Sequence, residues 1–275
     1  MLCYKYMSCE LLQRTLKEDA VYIKASSPVE FNDPFDCVGR LDLSKGFSKE
    51  FLIDAAQFFG VESGKDLETF VTVRFGVSLS DRRFFDDWVR IASFCDAKLA
   101  DPTSEKLMWS HYGNKLSGAR LTLDFTECER KPEPVRYSVS MPALRCWEVT
   151  RFSPKDRALF RFMEDCLLTK SLAWSYEREM RAIIPICELE RHEEKYFWRL
   201  PKKSVKAICF GGELGRDLLQ FEKMQGFVRG LQRSGYNHVQ YDYCLKDDES
   251  YGYKLAHFAF PLNGEERRLN WRSKQ

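Results

Sequence analysis

One stretch in the second half of the chain carries two glutamates at a spacing that suits chemistry. It runs from Lys170 through Glu177, Glu179 and Arg181 into an apolar, β-branched segment closed by Pro185, which predicts a β-strand. Residues two apart in a strand share a face, so Glu177, Glu179 and Arg181 are predicted to project together. Carboxylates about 7 Å apart repel each other and lose solvation. Either a glutamate is catalytic or binds a ligand, or the charges form an ion-pair network with Lys170.

A second segment of interest is the loop Phe31-Asn32-Asp33-Pro34-Phe35-Asp36. Its Asn-Asp-Pro sequence favours a tight turn, because both polar side chains can bond nearby backbone and the proline fixes φ. We expect the two flanking phenylalanines to be buried and to anchor the loop. The polar edge of Asn32 or Asp33 is then expected to face one cleft with three distant side chains: Trp109, His111 and Glu179.

A third segment places Trp109, Ser110, His111 and Tyr112 within one turn of a predicted helix. Trp109 and Tyr112 are three residues apart and share a face, which is typical of an aromatic core patch. Ser110 and His111 lie on the other face. Structural packing and a role in lining a ligand site both remain open for this turn.

Several classes of site are excluded by motif or composition. No Gly-x-Ser-x-Gly elbow, P-loop or Gly-x-Gly-x-x-Gly fingerprint occurs. The ten cysteines include no Cys-x-x-Cys pair and the four histidines are isolated, so we expect no metal. The net charge of +2 does not indicate nucleic acid as a partner. No apolar run is long enough to cross a bilayer and the thiols are scattered, so we expect a soluble, cytoplasmic protein without a membrane partner.

The elements that position these residues are short strands interleaved with helices. Strands are predicted at 4–6, 21–25, 91–95, 118–125, 134–139, 177–186, 196–200, 205–210, 238–245 and 253–260. Helices are predicted at 9–17, at 103–112 with Thr103 or Ser104 as N-cap, after Ser153 and Pro154, and at 213–233. The helix after Pro154 has the clearest buried stripe: Leu159, Phe162, Met163, Cys166 and Leu167.

This order of elements predicts an α+β fold with a mixed or antiparallel split sheet and flanking helices. Residues 1–263 are expected to form a single α+β domain, with a mostly helical insertion at about 47–90 that covers the sheet. Residues 264–275 are polar and charged, and are expected to form a frayed tail.

Taken in order, four motifs resemble an uncharacterised bacterial family, domain-of-unknown-function family two-nine-seven-one. They are Tyr-Lys-Tyr at 4–6, Phe-Asn-Asp-Pro-Phe-Asp at 31–36, Met-Trp-Ser-His-Tyr-Gly at 108–113 and Lys-Ser-x-x-Trp-x-Tyr-Glu-x-Glu-x-Arg at 170–181. The resemblance covers about residues 3–215 and implies no established activity.

A more distant resemblance, to ADP-ribosyltransferases, implies an activity. Glu177-Arg178-Glu179 resembles the Glu-x-Glu of the arginine-modifying branch, and residues 20–27 resemble the strand and serine loop of the poly-ADP-ribose branch. The resemblance implies an ADP-ribosyltransferase-like split sheet that clamps NAD. Glu179 would stabilise the oxocarbenium-like state when the nicotinamide–ribose bond breaks, and Glu177 would orient or deprotonate the acceptor.

The same resemblance implies NAD-binding side chains along the chain: Tyr4, Lys5, Tyr6, Tyr22, Asn32, Asp33, Trp109, Ser110, His111, Tyr112, Lys170, Ser171 and Arg181. The aromatic groups would stack on nicotinamide and the cations would meet the pyrophosphate. The hypothesis is therefore an NAD-dependent ADP-ribosyltransferase-like enzyme or NAD glycohydrolase, a toxin or defence effector with a macromolecular acceptor. Because residues 4–6 depart from the first-strand arginine or His-Gly pair of those enzymes, the alternative is a non-catalytic module that senses or binds a nucleotide.

Overall fold

The computed structural model describes residues 1–60, 67–98, 101–151, 153, 155–216, 218–247 and 252–257. Its strands are β1 (Leu2–Met7), β2 (Val21–Ala25), β3 (Arg40–Asp42), β4 (Val89–Asp96), β5 (Ala119–Asp124), β6 (Glu133–Pro134), β7 (Arg136–Ser138), β8 (Ala143–Arg145), β9 (Thr169–Ser171), β10 (Glu179–Pro185), β11 (Glu190–His192), β12 (Lys195–Leu200), β13 (Val205–Gly211), β14 (Gln240–Lys246) and β15 (Tyr253–His257). Its α-helices are α1 (Cys9–Thr15), α2 (Lys49–Phe59), α3 (Leu67–Ser80), α4 (Pro102–His111), α5 (Arg157–Leu167) and α6 (Leu218–Leu231).

The main sheet of the described residues has eight strands in the order β15-β14-β13-β5-β1-β4-β10-β6. All neighbours in it are antiparallel except β13 and β14, so the α+β class with a mixed sheet is confirmed. A three-stranded antiparallel sheet (β11-β12-β2) and two parallel pairs (β3-β8 and β7-β9) accompany it. None of the helices in these ranges combines the length and the apolar character that crossing a bilayer requires.

The main sheet is divided where β1 meets β4. These two strands pair only at Cys3↔Asp96 and Tyr4↔Cys95. In contrast, β1 pairs with β5 along its whole length, and β4 pairs with β10 from Cys95 to Val89. Beyond Tyr4 and Cys95, therefore, β1 and β4 each follow their other neighbour and diverge. The divergence leaves a cleft inside the sheet, and this cleft is the part of the fold that concerns function.

The strand β10 separates two hydrophobic clusters because its side chains alternate. Met180, Ala182 and Ile184 enter the larger cluster, which also contains residues of α6 and β12. Ile183 packs on the other side, against the cluster formed by α2 and α5. Burying one large aliphatic or aromatic side chain in such a cluster contributes about 1.5–3 kcal/mol. Both faces of β10 are thus fixed by packing, and this fixes the direction of its polar side chains.

The helix α5 presents the buried stripe predicted for it, from Leu159 to Leu167, to the second cluster. The helix packs very closely on the chain at Gly39. A Cβ atom at this position would lie 2.3 Å from Cζ of Phe162, so only glycine fits. This close contact holds the loop that precedes Gly39, which includes Asp36, against the end of α5.

Both predicted N-caps are wrong, for the same reason. Asp101 caps α4 by accepting from the amides of Thr103 and Ser104, the two residues predicted as caps. Asp156 caps α5, whereas Ser153 was predicted. In both places a carboxylate two or three residues from the predicted cap accepts two amide hydrogens at the start of the helix, and it caps the helix in place of the hydroxyl. Pro154 lies outside the described residues.

Other boundaries also differ from the prediction. The strand predicted at 134–139 is two short strands, β6 and β7, that belong to different sheets. The region 47–90 contains α2, α3 and a 3₁₀ turn at Arg82–Phe85, while its residues 61–66 lie outside the described ranges. The end of the predicted strand at 253–260 and the predicted tail at 264–275 also lie outside them.

Candidate functional site

A cleft of about 310 Å³ opens between the diverging strands β1 and β4. Eight of the residues singled out from the sequence line it: Tyr4, Lys5, Tyr6, Asn32, Tyr112, Lys170, Glu177 and Glu179. Asn32 and Glu179 thus face one cleft, as expected, although they are far apart in the sequence. Asn32 and Tyr112 both line the cleft, so the loop at 31–36 and the end of α4 meet there.

Lys170 is the centre of a buried charge cluster at one end of the cleft. Its Nζ lies 2.5 Å from Oε2 of Glu177, 3.1 Å from Oε2 of Glu179 and 3.7 Å from Oδ2 of Asp36. The side chain is almost entirely buried, and its Nζ lies 4.9 Å from the centre of the Trp174 ring. One ammonium therefore holds three carboxylates together, which would otherwise repel each other.

Arg181 completes the cluster from behind. Its Nε and Nη2 donate to the two oxygens of Glu179 at 2.8 and 3.1 Å, and Nη2 also donates to Oδ2 of Asp36 at 2.6 Å. Its Nη1 donates to the carbonyl of Leu167 at the end of α5, 2.7 Å away. Arg181 is 1 % exposed and does not line the cleft. It holds Glu179 in place rather than meeting a ligand itself.

The two glutamates reach Lys170 by a route that the sequence did not predict. Only Glu179 belongs to β10, whereas Glu177 ends a 3₁₀ turn that begins at Leu172. Arg178 between them has φ 47° and ψ 45°, a left-handed conformation, so the predicted continuous strand through Glu177 is wrong. The Tyr137 hydroxyl accepts from the backbone amide of Glu179 at 2.7 Å and fixes the start of the strand.

The environments of the two carboxyl groups push their pKa values in opposite directions. Burial disfavours the charged form of Glu179, but the charges of Arg181 and Lys170 outweigh it and lower the pKa of Glu179 to about 2. Burial raises the pKa of Glu177, and the negative charge of Glu179 adds to this rise against the opposing effect of Lys170. Of the two glutamates, Glu177 is therefore the one that more readily receives a proton, because Glu179 is also held by Arg181 whereas Glu177 is not.

Lys5 is the cation of the cleft that stands apart from this cluster. Its Nζ donates to the carbonyl of Ser93 on β4 at 2.8 Å, across the gap between the strands, and lies 5.1 Å from the centre of the Phe94 ring. Burial lowers the pKa of Lys5 to about 8, although the charge of Glu179 opposes this shift. At neutral pH, a larger fraction of Lys5 is therefore neutral than of an ordinary lysine.

Several of the residues singled out lie elsewhere. Trp109 is fully buried and packs edge-on against Tyr6 at 5.2 Å between ring centres. Ser110 and His111 are exposed on the outer face of α4, where Ser110 donates to the carbonyl of Lys106. Helical spacing indicated an aromatic core patch on the Trp109 face and placed Ser110 and His111 on the other face, and the burial of Trp109 and the exposure of Ser110 and His111 agree with this. Trp109 and His111 were expected to line the cleft, and neither of them does.

Tyr22, Asp33 and Ser171 also lie outside the cleft. Tyr22 donates from its hydroxyl to Asp19 at 2.7 Å on the three-stranded sheet. Asp33 is buried and accepts from the amide of Phe35, and with Ser171 it lines a separate cavity of about 240 Å³. Phe35 is 62 % exposed, so the prediction that it anchors the loop is wrong. Pro34 restricts the backbone of the turn, so the turn does not require the Phe35 side chain to be buried.

The structure adds cleft and cluster residues that the sequence did not single out. Asp36 is the third carboxylate of the cluster, and its place in the flagged loop was the available signal. Lys24 and Glu30 form an ion pair on the other wall of the cleft. Lys24 lies two residues after Tyr22 on the same face of β2, so alternation in that strand would have indicated it. Nothing in the sequence pointed to Tyr137.

Comparisons with known proteins add nothing to this geometry. No family model matches the chain, and neither the curated proteins nor the solved structures include a match. The resemblances to domain-of-unknown-function family two-nine-seven-one and to ADP-ribosyltransferases therefore stay predictions. In the part of the chain that the structure describes, no group of three or more His, Cys, Asp and Glu side chains is arranged to hold a metal ion.

Proposed function

We propose that the cleft binds NAD and breaks its nicotinamide–ribose bond, as an ADP-ribosyltransferase-like enzyme or an NAD glycohydrolase. One observation carries this proposal: two carboxyl groups at one end of the cleft, Glu177 and Glu179, have pKa values shifted in opposite directions. In enzymes that transfer glycosyl groups, two carboxyl groups whose pKa values are shifted in opposite directions serve acid–base and electrostatic roles. The division of the main sheet into two halves around the cleft supports the same class of fold.

In this proposal Glu179 is the group that stabilises positive charge. The breaking bond leaves an oxocarbenium-like ribose, and a fixed carboxylate beside it lowers the barrier because it is already oriented. Arg181 and Lys170 keep Glu179 ionised and immobile. Glu177 has the higher pKa and bonds the Tyr112 hydroxyl at 2.6 Å, so it is the group suited to accept the proton of the incoming nucleophile.

The remaining cleft residues would bind the rest of the substrate. The cleft volume of about 310 Å³ lies at the lower end of the range for small-molecule sites, which suits the nicotinamide riboside half of NAD. Lys5 and the partly exposed Lys24 supply positive charge for the pyrophosphate, and Tyr4 and Tyr112 supply aromatic surface. Lys170 and Arg181 are buried and each contacts two or more carboxylates, so in this proposal Lys24, which is partly exposed and pairs with Glu30 alone among the described residues, takes their place at the pyrophosphate.

The test is release of nicotinamide from labelled NAD by the purified protein, with unlabelled cell lysate as a source of acceptors. We expect Glu179→Gln to lose about 10²–10³-fold in rate, the usual loss when one group that stabilises transition-state charge is removed. Glu177→Gln should lose transfer to the acceptor more than hydrolysis. Glu148→Gln, which alters an exposed carboxylate outside the cleft, is the matched control and should be unchanged. Circular dichroism establishes that each variant is folded.

Two results would contradict the enzymatic proposal. The first is the absence of nicotinamide release and of labelled product with the wild-type protein. The second is an unchanged rate in a folded Glu179→Gln variant. A toxin or defence role and a macromolecular acceptor are tested in the same experiment, by the identity of any labelled protein in the lysate.

A second candidate function is a non-catalytic module that binds a nucleotide. The observation that favours it is that both oxygens of Glu179 already accept hydrogen bonds, from Arg181 and Lys170, so this carboxylate is engaged before any substrate binds. Calorimetry with NAD and ADP-ribose separates the two functions. A binding module shows heat without release of nicotinamide, and the lack of binding to either nucleotide would contradict both.

A further inference from the structure

Lys5 differs from the other cations of the cleft in its partners. Lys170 contacts three carboxylates and Lys24 pairs with Glu30, whereas no carboxylate lies within ion-pair distance of Lys5 among the described residues. Its Nζ has one hydrogen-bond acceptor, the Ser93 carbonyl, and lies against the face of Phe94. A lysine that is desolvated and lacks a carboxylate partner can lose its proton and become a nucleophile.

The groups that face Lys5 come from both walls of the cleft. Lys24 on β2 opposes its positive charge and Glu179 on β10 favours it, while burial has the largest effect on its pKa. Tyr4 and Tyr6 are its neighbours on β1, and further polar groups complete the lining: Ser26, Asn32, Asp36, Tyr112 and Glu177. This lining offers many hydrogen-bond acceptors, which suit a ligand rich in hydroxyl groups.

We propose that Lys5 is a covalent binding site for an open-chain aldose, which it holds reversibly as an imine. Three features of the geometry support this: Lys5 lines the cleft, it has no carboxylate within ion-pair distance among the described residues, and hydroxyl and amide side chains line the same cleft. A cleft of about 310 Å³ accommodates a sugar of pentose size. The inference does not rest on NAD cleavage, because it requires only the amine and its polar surroundings.

The reaction is a condensation that needs no further reagent. The neutral Lys5 nitrogen attacks the aldehyde carbon, a C–N bond forms, and the carbonyl electron pair moves to oxygen, which takes up the proton lost by nitrogen. The resulting carbinolamine loses its hydroxyl as water when an acid protonates it, and the nitrogen lone pair completes the C=N bond. Water supplies that proton, and the iminium nitrogen formed when water leaves returns one proton to water to give the imine.

The experiment is reductive trapping on the wild-type protein, so that no variant needs to fold. D-ribose and sodium cyanoborohydride are added at pH 8, and peptide mass spectrometry measures adduct formation at Lys5 and at the exposed Lys206. We expect Lys5 to react about tenfold faster than Lys206, because its lowered pKa leaves a larger fraction of the amine neutral at this pH. The same lowered pKa makes the neutral amine less basic, which offsets part of this gain. The rate at Lys5 should level off above about pH 8.

A polyol that lacks the aldehyde distinguishes a binding site from a merely reactive amine. Ribitol should slow adduct formation at Lys5 at least about threefold at saturation and leave Lys206 unchanged, since only Lys5 lies in a sugar-sized cleft. In Lys24→Arg, which keeps the neighbouring charge, the preference for Lys5 should persist. Equal rates at Lys5 and Lys206 would overturn the proposal, and so would a Lys5 rate that ribitol does not change.

Discussion

Two buried arginines, on different parts of the main sheet, show how differently one molecule can use the same side chain. Arg120 on β5 pairs with a single carboxylate, Glu105 of α4, and its guanidinium lies 4.2 Å from the centre of the Tyr4 ring. Arg181 on β10 pairs with Glu179 and Asp36 and lies 5.2 Å from the centre of the Phe31 ring. Both have an acidic partner and an aromatic neighbour, yet only one adjoins the cleft cluster.

The difference lies in the balance of charge. The Arg120 site has one cation and one carboxylate, packed beside the aromatic cluster around Tyr6 and Trp109. The Arg181 site has two cations, Arg181 and Lys170, for three carboxylates. A balanced, enclosed pair is what a structural role requires. A surplus of carboxylate at the end of an open cleft is costly unless a ligand or a proton uses it, and this surplus distinguishes the candidate site.

The largest effect should come from removing each arginine in turn. Arg181→Met leaves Glu179 and Asp36 buried without their main partner, so we expect the free energy of unfolding to fall by about 3–5 kcal/mol. Arg120→Met should cost about 1–3 kcal/mol, because Glu105 is partly exposed and regains water. Urea unfolding measures both. Equal losses would show that the two sites do not differ in the way proposed.

Acid should then weaken the Arg181 site in a defined range of pH. The pKa of Glu179 is lowered to about 2, so its stabilising contribution is complete above the ordinary value of 4.5 and disappears as pH falls toward 2. The full contribution is on the order of 3 kcal/mol. We expect the unfolding free energies of wild type and Glu179→Gln to converge between pH 4.5 and 2. The Glu177→Gln variant should still lose unfolding free energy over this range of pH. If the unfolding free energies of wild type and Glu179→Gln fell in parallel, the lowered pKa would not belong to Glu179.

Removing Lys5 should stabilise the protein. Its pKa is lowered to about 8 from 10.5, so at neutral pH the unfolded chain holds this proton more favourably than the folded protein does. Lys5→Met should raise the free energy of unfolding at pH 7 by about 1–3 kcal/mol, and the gain should shrink as pH rises from 8 to 10.5. Lys206→Met is the exposed control. A loss of stability at pH 7 would show that Lys5 is retained for packing rather than for function.

The smallest effect should appear on the loop beside the cluster. Phe35 is 62 % exposed, so Phe35→Ser should change the unfolding free energy by less than about 0.5 kcal/mol. Phe31→Ser should cost about 1–2 kcal/mol, because Phe31 is partly buried against the second hydrophobic cluster and lies beside the Arg181 guanidinium. Thermal unfolding compares the two. Similar costs would mean that both phenylalanines anchor the loop after all.

Elements with a regular pattern could be predicted from the sequence, whereas their ends could not. The strand β2 matches its prediction residue for residue, because β-branched residues alternate between two turn signals. The stripe of α5 is equally clear, yet its start was misplaced because several nearby side chains can cap the same amides. Capping depends on which side chain meets the free amides in three dimensions, and local composition does not decide this.

The candidate site could likewise be predicted from the sequence only in part. Residues from distant segments, such as Lys5, Asn32 and Glu179, were brought to one cleft as expected. Trp109 and His111 were not, because Trp109 lies on the buried face of α4 that its spacing indicated and His111 lies on the exposed face, and neither face lines the cleft at these residues. Asp36 and Tyr137 contribute through contacts across 145 and 42 residues, and no local pattern encodes such contacts.

The left-handed turn at Arg178 has a consequence for how relatives of this chain would be recognised. Both glutamates contact the Lys170 ammonium because Arg178 between them adopts a left-handed conformation, which ends the 3₁₀ turn and begins the strand. Glycine and asparagine adopt this conformation at little cost, long unbranched side chains tolerate it, and valine, isoleucine and threonine resist it. A search pattern that accepts any residue between the glutamates is therefore too broad. Excluding β-branched residues at that one position would separate chains able to form this paired geometry from chains that merely contain Glu-x-Glu in an ordinary strand.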